Sequence, residues 1–319
     1  MQVSADRFRT DLEAAFGGPL PADARIALAV SGGPDSMAML VLAHAAYGAR
    51  VIAATVDHRL RPGGADEAAM VARYCATLGV PHTTLAPDAP IAGASIQAQA
   101  RAARYALLEG WARGAAALLT AHHSDDQAET FLMRAARGSG ISGLAGIRAM
   151  RDSGGVALLR PLLGWRRSEL RAVAEGANTP FVDDPSNRDD AHDRTRFRQL
   201  FETNPWLDPR AIAASAGHLA ETERAMSDFT DSYWRDRAKE SAESIVIDVA
   251  DLPRELRRRL ARRAIRAQDA NVSDAANVEA LLDSLEAGGG ATQGSVMAAA
   301  RGTVWTFRPA PPRRSRPAQ

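Results

Sequence analysis

The stretch Arg25-Ile-Ala-Leu-Ala-Val-Ser-Gly-Gly-Pro-Asp-Ser-Met37 decides the fold class. Ile26 to Val30 is an apolar run of the kind that forms a buried strand, and it breaks at Ser31-Gly32-Gly33-Pro34. An apolar helical stretch over residues 36–47 follows at once. Strand, glycine turn and helix make a phosphate grip. The glycines let the backbone approach an anion, and the helix N-terminus offers unpaired N–H groups and the positive end of its dipole. Ser31 and Ser36 add hydroxyl donors. Asp35 is the odd member, because a carboxylate repels phosphate unless a cation such as Mg²⁺ lies between them. The plainer alternative is a structural turn with Asp35 or Ser36 as helix N-cap. A motor-type phosphate loop requires Gly-Lys-Ser/Thr, and the only lysine of this chain is Lys239.

Outward from that stretch, apolar runs and helical runs alternate. Strands are predicted over 50–56, 80–85, 115–121 and 156–159, with helices over 65–78, 95–113, 125–136 and 167–175. Such alternation means βαβ units and an α/β fold with a parallel twisted sheet flanked by helices. Ligands in such sheets bind beyond the carboxyl ends of the strands. The turns bearing Asp57 and His122 are therefore expected to share a crevice with the phosphate loop.

The densest of these turns is Thr120-Ala-His-His-Ser-Asp-Asp-Gln-Ala-Glu-Thr130. Ser124 and Gln127 fit a capping box, while His122, Asp126 and Glu129 are candidate metal ligands, with solvated or hydrogen-bonded side chains as the plainer alternative. Next, Arg137-Gly-Ser-Gly-Ile-Ser-Gly-Leu-Ala-Gly146 formally contains G-x-G-x-x-G, but it follows a helix rather than a strand. It reads as a glycine-rich loop, either a lid or a plain connector.

The totals set bounds. The chain has 319 residues, 46% hydrophobic and 24% charged, with formal net charge +1. That composition suits about two folded domains and neither implies nor excludes a polyanionic partner. Cys75 is the only cysteine, which excludes an intramolecular disulfide, a zinc ribbon and a cysteine-ligated cluster within one chain. The amphipathic N-terminus carries Asp6, Asp11 and Glu13, unlike a signal peptide, and no long uncharged apolar run suggests a membrane span. A cytoplasmic location is the expectation.

Beyond a helical region over 209–240, a smaller helical or α+β domain is expected. It holds a strand over 245–249, a helix over 254–267 and a last strand within 302–308. The predicted boundaries are 1–208 for the first domain, 209–310 for the second and 311–319 for a basic tail. Arg254, Arg258, Arg262 and Arg266 recur every fourth residue, a spacing at which like charges repel. A polyanion would offset that repulsion by counterion release, and a solvated helix face is the alternative.

Ser-Gly-Gly-Pro-Asp-Ser resembles the pyrophosphate loop of the ATP pyrophosphatase (PP-loop) superfamily. Further segments occur in order: Val56-Asp-His-Arg-Leu-Arg61, Ala100-Arg-Ala-Ala-Arg-Tyr105, the 120–130 turn, the 137–146 loop, Arg160-Pro-Leu-Leu163 and Asp184-Pro-Ser-Asn187. Together they resemble the tRNA(Ile)-lysidine synthase family, densely over about residues 25–200. Thr195 stands where that family is expected to carry asparagine. The resemblance implies an ATP-dependent ligase that adenylates the wobble cytidine of CAU-anticodon isoleucine tRNA and lets the amine of free lysine displace AMP. It implies ATP and Mg²⁺ as cofactors, and this tRNA and lysine as partners, with no membrane. A homodimer remains open. On this reading Ser31, Gly32, Gly33, Pro34 and Ser36 cradle phosphates and Asp35 holds Mg²⁺. Arg101 or Arg104 stabilises the α-phosphate, His122 and Asp126 handle the cytosine or the amine, and Asp57 orients the adenosine or a metal. A sulfur-transferring relative with the same loop would use paired cysteines, which this chain lacks. An amidating synthetase would use an ammonia source, of which no sign exists, and a non-catalytic tRNA-binding protein would not exchange ATP with pyrophosphate.

Overall fold

A computed structural model describes residues 2–59, 63–89, 96–183, 193–270, 272 and 278–311. The chain divides into two compact units, Met1–Ala220 and Glu221–Gln319.

The first unit runs α1 (Gln2–Phe16), β1 (Ile26–Ala29), α2 (Pro34–Tyr47), β2 (Val51–Val56), α3 (Gly64–Leu78), β3 (His82–Leu85), α4 (Ile96–Trp111), β4 (Ala117–Leu119), α5 (Ser124–Ala135), the single turn α6 (Ile141–Leu144), β5 (Met150–Ser153), β6 (Val156–Leu159), α7 (Arg167–Gly176) and α8 (Asp193–Thr203). Its sheet has the order β3-β2-β1-β4-β6-β5. All neighbours pair in parallel except β5, which forms an antiparallel edge on β6. The order reverses between β1 and β4, so the loops after those strands open onto one crevice.

Side chains alternate across this sheet as the two-residue period requires. Ile26, Leu28, Val51, Ala53, Ala117 and Leu119 point into one core with Phe8 and Leu12 of α1, α2, and Leu170 and Ala174 of α7. Ala27, Ala54, Leu118 and Leu158 point the other way, beneath Tyr105 and Leu108 of α4. Residues 36–43 of α2 are buried without a break, so the helix that follows the phosphate loop is anchored all round. Each fully buried Leu or Met there contributes about 1.5–3 kcal/mol, which fixes the loop's helical wall.

The edge strand β5 was not expected from the sequence. Met150-Arg-Asp-Ser153 has three exposed residues and lacks an apolar face. It exists because its backbone pairs with β6. The segment 184–187 and residues 312–319 of the basic tail lie outside the described residues, as do Leu60, Arg61 and Pro62.

The helix α9 (Pro209–Arg237) spans the division between the units. The second unit continues with β7 (Ala238–Glu240), β8 (Ile245–Asp248), α10 (Arg254–Gln268), α11 (Glu279–Glu286), β9 (Gly290–Gln293), β10 (Val296–Arg301) and β11 (Val304–Pro309). These strands form an antiparallel sheet of order β7-β8-β11-β10-β9. Its core gathers Trp305, Phe307, Leu256, Leu260 and Leu282. Residues 238–240 thus leave the expected helix to pair as a strand. No described helix is long and apolar enough to cross a membrane.

Candidate active site

The loop after β1 is built from its own hydrogen bonds. Gly32 sits at φ +88°, a backbone region that side chains rarely adopt, and its carbonyl accepts the Val182 N–H at 3.0 Å. Gly33 is the N-cap of α2, with Pro34 in the first turn, where a missing N–H costs nothing. The expectation of Asp35 or Ser36 as N-cap therefore fails by two or three residues. The Ser36 hydroxyl donates to the Gly33 carbonyl at 3.0 Å and accepts the Ser31 N–H at 3.1 Å. It lies 3.2 Å from the Ser31 hydroxyl. These bonds curl the loop and leave the N–H groups of the first turn of α2 without helical acceptors, as an anion site requires.

Asp35, in that first turn, has one carboxylate oxygen, Oδ1, buried without a hydrogen-bond partner. Its other oxygen lies 3.4 Å from His123 Nε2. His123 is 1% exposed, and Asp126 and Asp125 also approach it, each at 3.6 Å. Burial by itself lowers the His123 pKa, but Asp126 and Asp35 outweigh it and the net shift is upward, against Arg167. His123 is thus the histidine that joins the phosphate loop to the turn after β4. His122, the expected one, is half-buried and shares a 3.0 Å hydrogen bond with the Thr120 hydroxyl.

The capping box of α5 is displaced by one residue from the expected Ser124–Gln127 pair. His123 is the N-cap: its Nδ1 accepts the Asp126 N–H at 3.4 Å, and Asp126 Oδ2 accepts the His123 N–H at 3.1 Å. Ser124 instead donates from its hydroxyl to the Trp165 carbonyl at 2.7 Å. Gln127 is spent on Ile147, whose N–H it accepts at 2.5 Å and whose carbonyl it meets at 3.1 Å. A Cβ at Gly146, whose φ is +69°, would come within 2.5 Å of Gln127 Oε1. Arg134 donates to the Gly143 and Gly146 carbonyls at 2.7 and 2.9 Å. The glycine-rich loop is therefore pinned to α5 at several points, which favours the connector over the lid.

Behind the turn lies a cavity of about 540 Å³ between α5, α7, α8 and the start of α9. Glu129 forms its buried acid: it is 1% exposed, with Oε1 held by Arg198 at 3.2 Å and 3.6 Å from Arg167. Oε2 is buried without a hydrogen-bond partner. Burial pushes its carboxyl pKa up, Asp126 adds to that, and the two arginines offset only part of it. Asp125 lines the same cavity but behaves oppositely. Burial raises it, yet the Arg167 N–H at 2.9 Å and the Arg166 guanidinium at 3.2 Å bring it below the usual carboxylate range. Among the described residues no group of three or more His, Cys, Asp or Glu side chains could hold a metal, so His122, Asp126 and Glu129 do not form a metal triad.

Asp57, after β2, accepts the Arg59 N–H at 2.9 Å and abuts Gly64, where a Cβ would meet its carboxylate at 2.6 Å. The next residue, His58, is lowered in pKa by burial and then by Arg104, which puts Arg104 of α4 at the crevice. Arg101 points to Tyr105 instead, with its guanidinium 5.1 Å from the ring centre.

In the second unit the expected anion-binding stripe is largely occupied. Arg254 pairs with Glu279 at 3.3 Å, Asp283 at 2.5 Å and Glu286. Arg258 pairs with Glu279 at 2.6 Å and with Glu255. These arginines tie α10 to α11. Arg262, by contrast, keeps its Nε buried without a hydrogen-bond partner.

His123, Arg166 and Arg198 were not singled out by the sequence, and Glu129 was expected only as a metal ligand. Histidine is an unusual N-cap, so the choice between His122 and His123 had no local signal. Glu129 follows Asp126 by three residues on one helix face, which was legible.

Comparison with known proteins agrees with this geometry. The PP-loop domain family matches residues 5–203. A tRNA(Ile)-lysidine synthase of Novosphingobium aromaticivorans is 43% identical over 317 residues, covering 98% of this chain and 95% of that protein. That of Zymomonas mobilis is 41% identical over 301 residues, covering 92% and 91%. A solved U34-tRNA thiolase of Methanococcus maripaludis, with its [4Fe-4S] cluster, superposes at TM-score 0.57 with 17% identity. It covers 69% of this chain and 78% of that one and supports the fold alone. A crevice built on a pyrophosphate-type loop, together with similarity along nearly the whole length of these relatives, makes this chain a member of the tRNA(Ile)-lysidine synthase family of PP-loop proteins.

Proposed function

We propose that the crevice at the carboxyl end of the first sheet carries out the reaction of this family. ATP adenylates the wobble cytidine of a CAU-anticodon isoleucine tRNA at the ring oxygen of carbon 2, releasing pyrophosphate. The ε-amine of free lysine then attacks that carbon and expels AMP. The chain is on this reading an ATP-dependent ligase forming a carbon–nitrogen bond.

The observation that carries the reading is the Asp35 carboxylate at a helix N-terminus shaped for phosphate, with Oδ1 buried and unpartnered. Buried polar atoms are nearly always satisfied, so a ligand is the natural partner. One carboxylate plus substrate phosphates is the donor set that suits Mg²⁺, which prefers such sparse protein ligation. When bound, Mg²⁺ would supply positive charge to offset the negative charge building on the departing pyrophosphate. The N–H groups of the first turn of α2 grip the same phosphates, with Gly32 and Gly33 allowing close approach. Arg104, beside His58, is assigned to the α-phosphate.

His123 positions Asp35 through the 3.4 Å contact and ties it to Asp126. Asp126 and His122 face the cytosine or the amine, where a proton must leave before lysine can attack. The cavity behind them suits an amino acid: Glu129 matches an ammonium, and Arg166, Arg167 and Arg198 match a carboxylate.

Incubation with labelled lysine, MgATP and isoleucine tRNA bearing CAU tests the reading. Label in the tRNA, dependent on ATP, is expected, and Asp126→Ala is expected to slow its appearance at least tenfold, a typical loss for a proton-transfer group. No label, or thiolation instead, overturns it.

A further inference from the structure

Guanidinium groups collect around Tyr105 in the first unit. Arg101 and Arg104 of α4 and Arg151 of β5 place their carbons 5.1, 5.5 and 4.9 Å from the ring centre. Arg160, the first residue after β6, lies beside the Tyr105 hydroxyl. The floor of this group is buried, with Tyr105 8% and Arg160 6% exposed, while Arg101 is exposed and Arg151 half-open at its mouth.

The charges do not balance. Glu109 lies 3.6 Å from Arg151 and accepts a hydrogen bond from Ser153, while neither Arg101 nor Arg160 forms an ion pair with a described residue. Arg160 donates from Nη1 to the Arg148 carbonyl at 2.6 Å, its Nε is buried without a partner, and the buried Tyr105 hydroxyl has the Arg160 guanidinium as its neighbour. A buried charge without a counter-ion is costly, and cation–π contacts of about 0.5–1 kcal/mol each do not replace one. Burial depresses the Arg160 pKa, the Tyr105 hydroxyl beside it offsets part of that, and Arg151 and Arg101 add to the depression. The Tyr105 hydroxyl, raised by burial, is brought down on balance by Arg101, Arg104 and Arg160. Both effects ask for a bound anion.

We infer that Arg101, Arg151 and Arg160, gathered around Tyr105, form a phosphodiester site that takes a backbone phosphate of the substrate tRNA, beside the phosphate loop but separate from it. The inference rests on the proposed function for the identity of the polyanion. The fold supplies the separation. Arg160 lies at the end of β6, two strands from β1, while Arg104 reaches the crevice at His58 and stands between the two sites. A guanidinium fork suits a phosphate, and a buried tyrosine hydroxyl adds a donor. An arginine held at the end of a sheet strand also explains Arg160-Pro-Leu-Leu163, a segment to which the ATP chemistry assigns no task.

The test uses the full-length chain and the exposed positions, Arg101→Ala and Arg151→Ala, which spare the buried floor. Binding of CAU-anticodon isoleucine tRNA is measured over a salt series, and ATP binding is measured without tRNA. The double variant is expected to bind tRNA at least tenfold more weakly and to lose about one unit of salt slope for each arginine removed, with ATP affinity unchanged. Tyr105→Phe is expected to weaken tRNA binding less than either. An unaltered tRNA affinity and salt slope overturns the inference. So does a fall in ATP affinity with tRNA binding intact, which would assign the cluster to the triphosphate. If the wild-type chain transfers lysine normally and the variants match it, only this inference fails. If the wild-type chain neither binds nor modifies the tRNA, the proposed function fails with it.

Discussion

The two arginine-rich regions of this molecule look alike in sequence and differ in chemistry. On α10, Arg254, Arg258 and Arg259 each meet carboxylates, from Glu279, Asp283 and Glu286 of α11, from Glu255 on the same helix, and from Glu223 of α9. Around Tyr105, Arg101 and Arg160 form no ion pair with a described residue, and Arg151 shares Glu109 with Ser153. The first set neutralises itself and holds helices together. The second set, like Asp35 in the phosphate loop, is charge held ready for something outside the protein. The partners of a charged residue, more than its spacing, decide whether it is scaffold or site.

The largest expected effect tests the open side of this contrast. Asp35→Asn keeps the shape of the loop and removes the charge that would hold a cation. Lysine transfer to tRNA is expected to fall by about 10²–10³-fold, in the range seen when one electrostatic contact to a reacting centre is lost. Thermal stability is expected to fall only modestly, because Oδ1 has no protein partner to lose and the amide oxygen of asparagine can keep the 3.4 Å contact that Oδ2 makes with His123. A drop in melting temperature as marked as the drop in rate would make Asp35 a structural residue and break the contrast.

The closed side gives the next effect. Glu223 and Arg259 are 15% and 12% exposed and meet at 2.5 Å. Glu223→Ala leaves a half-buried guanidinium with Glu255 alone, at 2.8 Å. Unfolding in denaturant is expected to show a loss of about 1–3 kcal/mol, below the figure for a fully buried pair because both groups retain some water. The salt slope of tRNA binding is expected to stay as it is in the parent chain. A shallower slope would return α10 to the list of tRNA-binding surfaces.

Much of the first unit was legible in its residues. The strand cores could be read because Ile26–Ala29, Val51–Val56 and Val156–Leu159 are apolar on both faces, as parallel strands under helices must be. The loop after β1 could be read because glycine pairs, proline and serine at a strand end have few other uses. What escaped reading depends on contacts distant in sequence. β5 is polar and exists by backbone pairing. His123 outranks His122 because the backbone turns the one inward and the other toward Thr120. The neutralised stripe had a signal that was passed over. Glu279, Asp283 and Glu286 of α11 repeat at helical spacing, as the arginines of α10 do, and two such faces attract.

The smallest effect is the most diagnostic for the cavity, because it depends on a single proton. The pKa of Glu129 is raised from 4.5 by burial first and by Asp126 second. An acid so shifted holds its proton more tightly in the folded chain than in the unfolded one. The stability from that proton is complete below 4.5, the ordinary value, and is lost as pH rises through the folded-state value. Glu129→Gln keeps the volume and never ionises. Denaturant unfolding of both proteins, from below pH 4.5 to neutrality, is therefore expected to give a stability difference that shifts toward the variant as pH rises. Lysine should at the same time bind the variant more weakly, since an amide offers an ammonium less than a carboxylate does. A difference that shifts toward the parent instead would mean that Arg198 and Arg167 more than offset the burial of Glu129, which would place this carboxylate with the self-neutralised arginines of α10 and leave the cavity without its ammonium site.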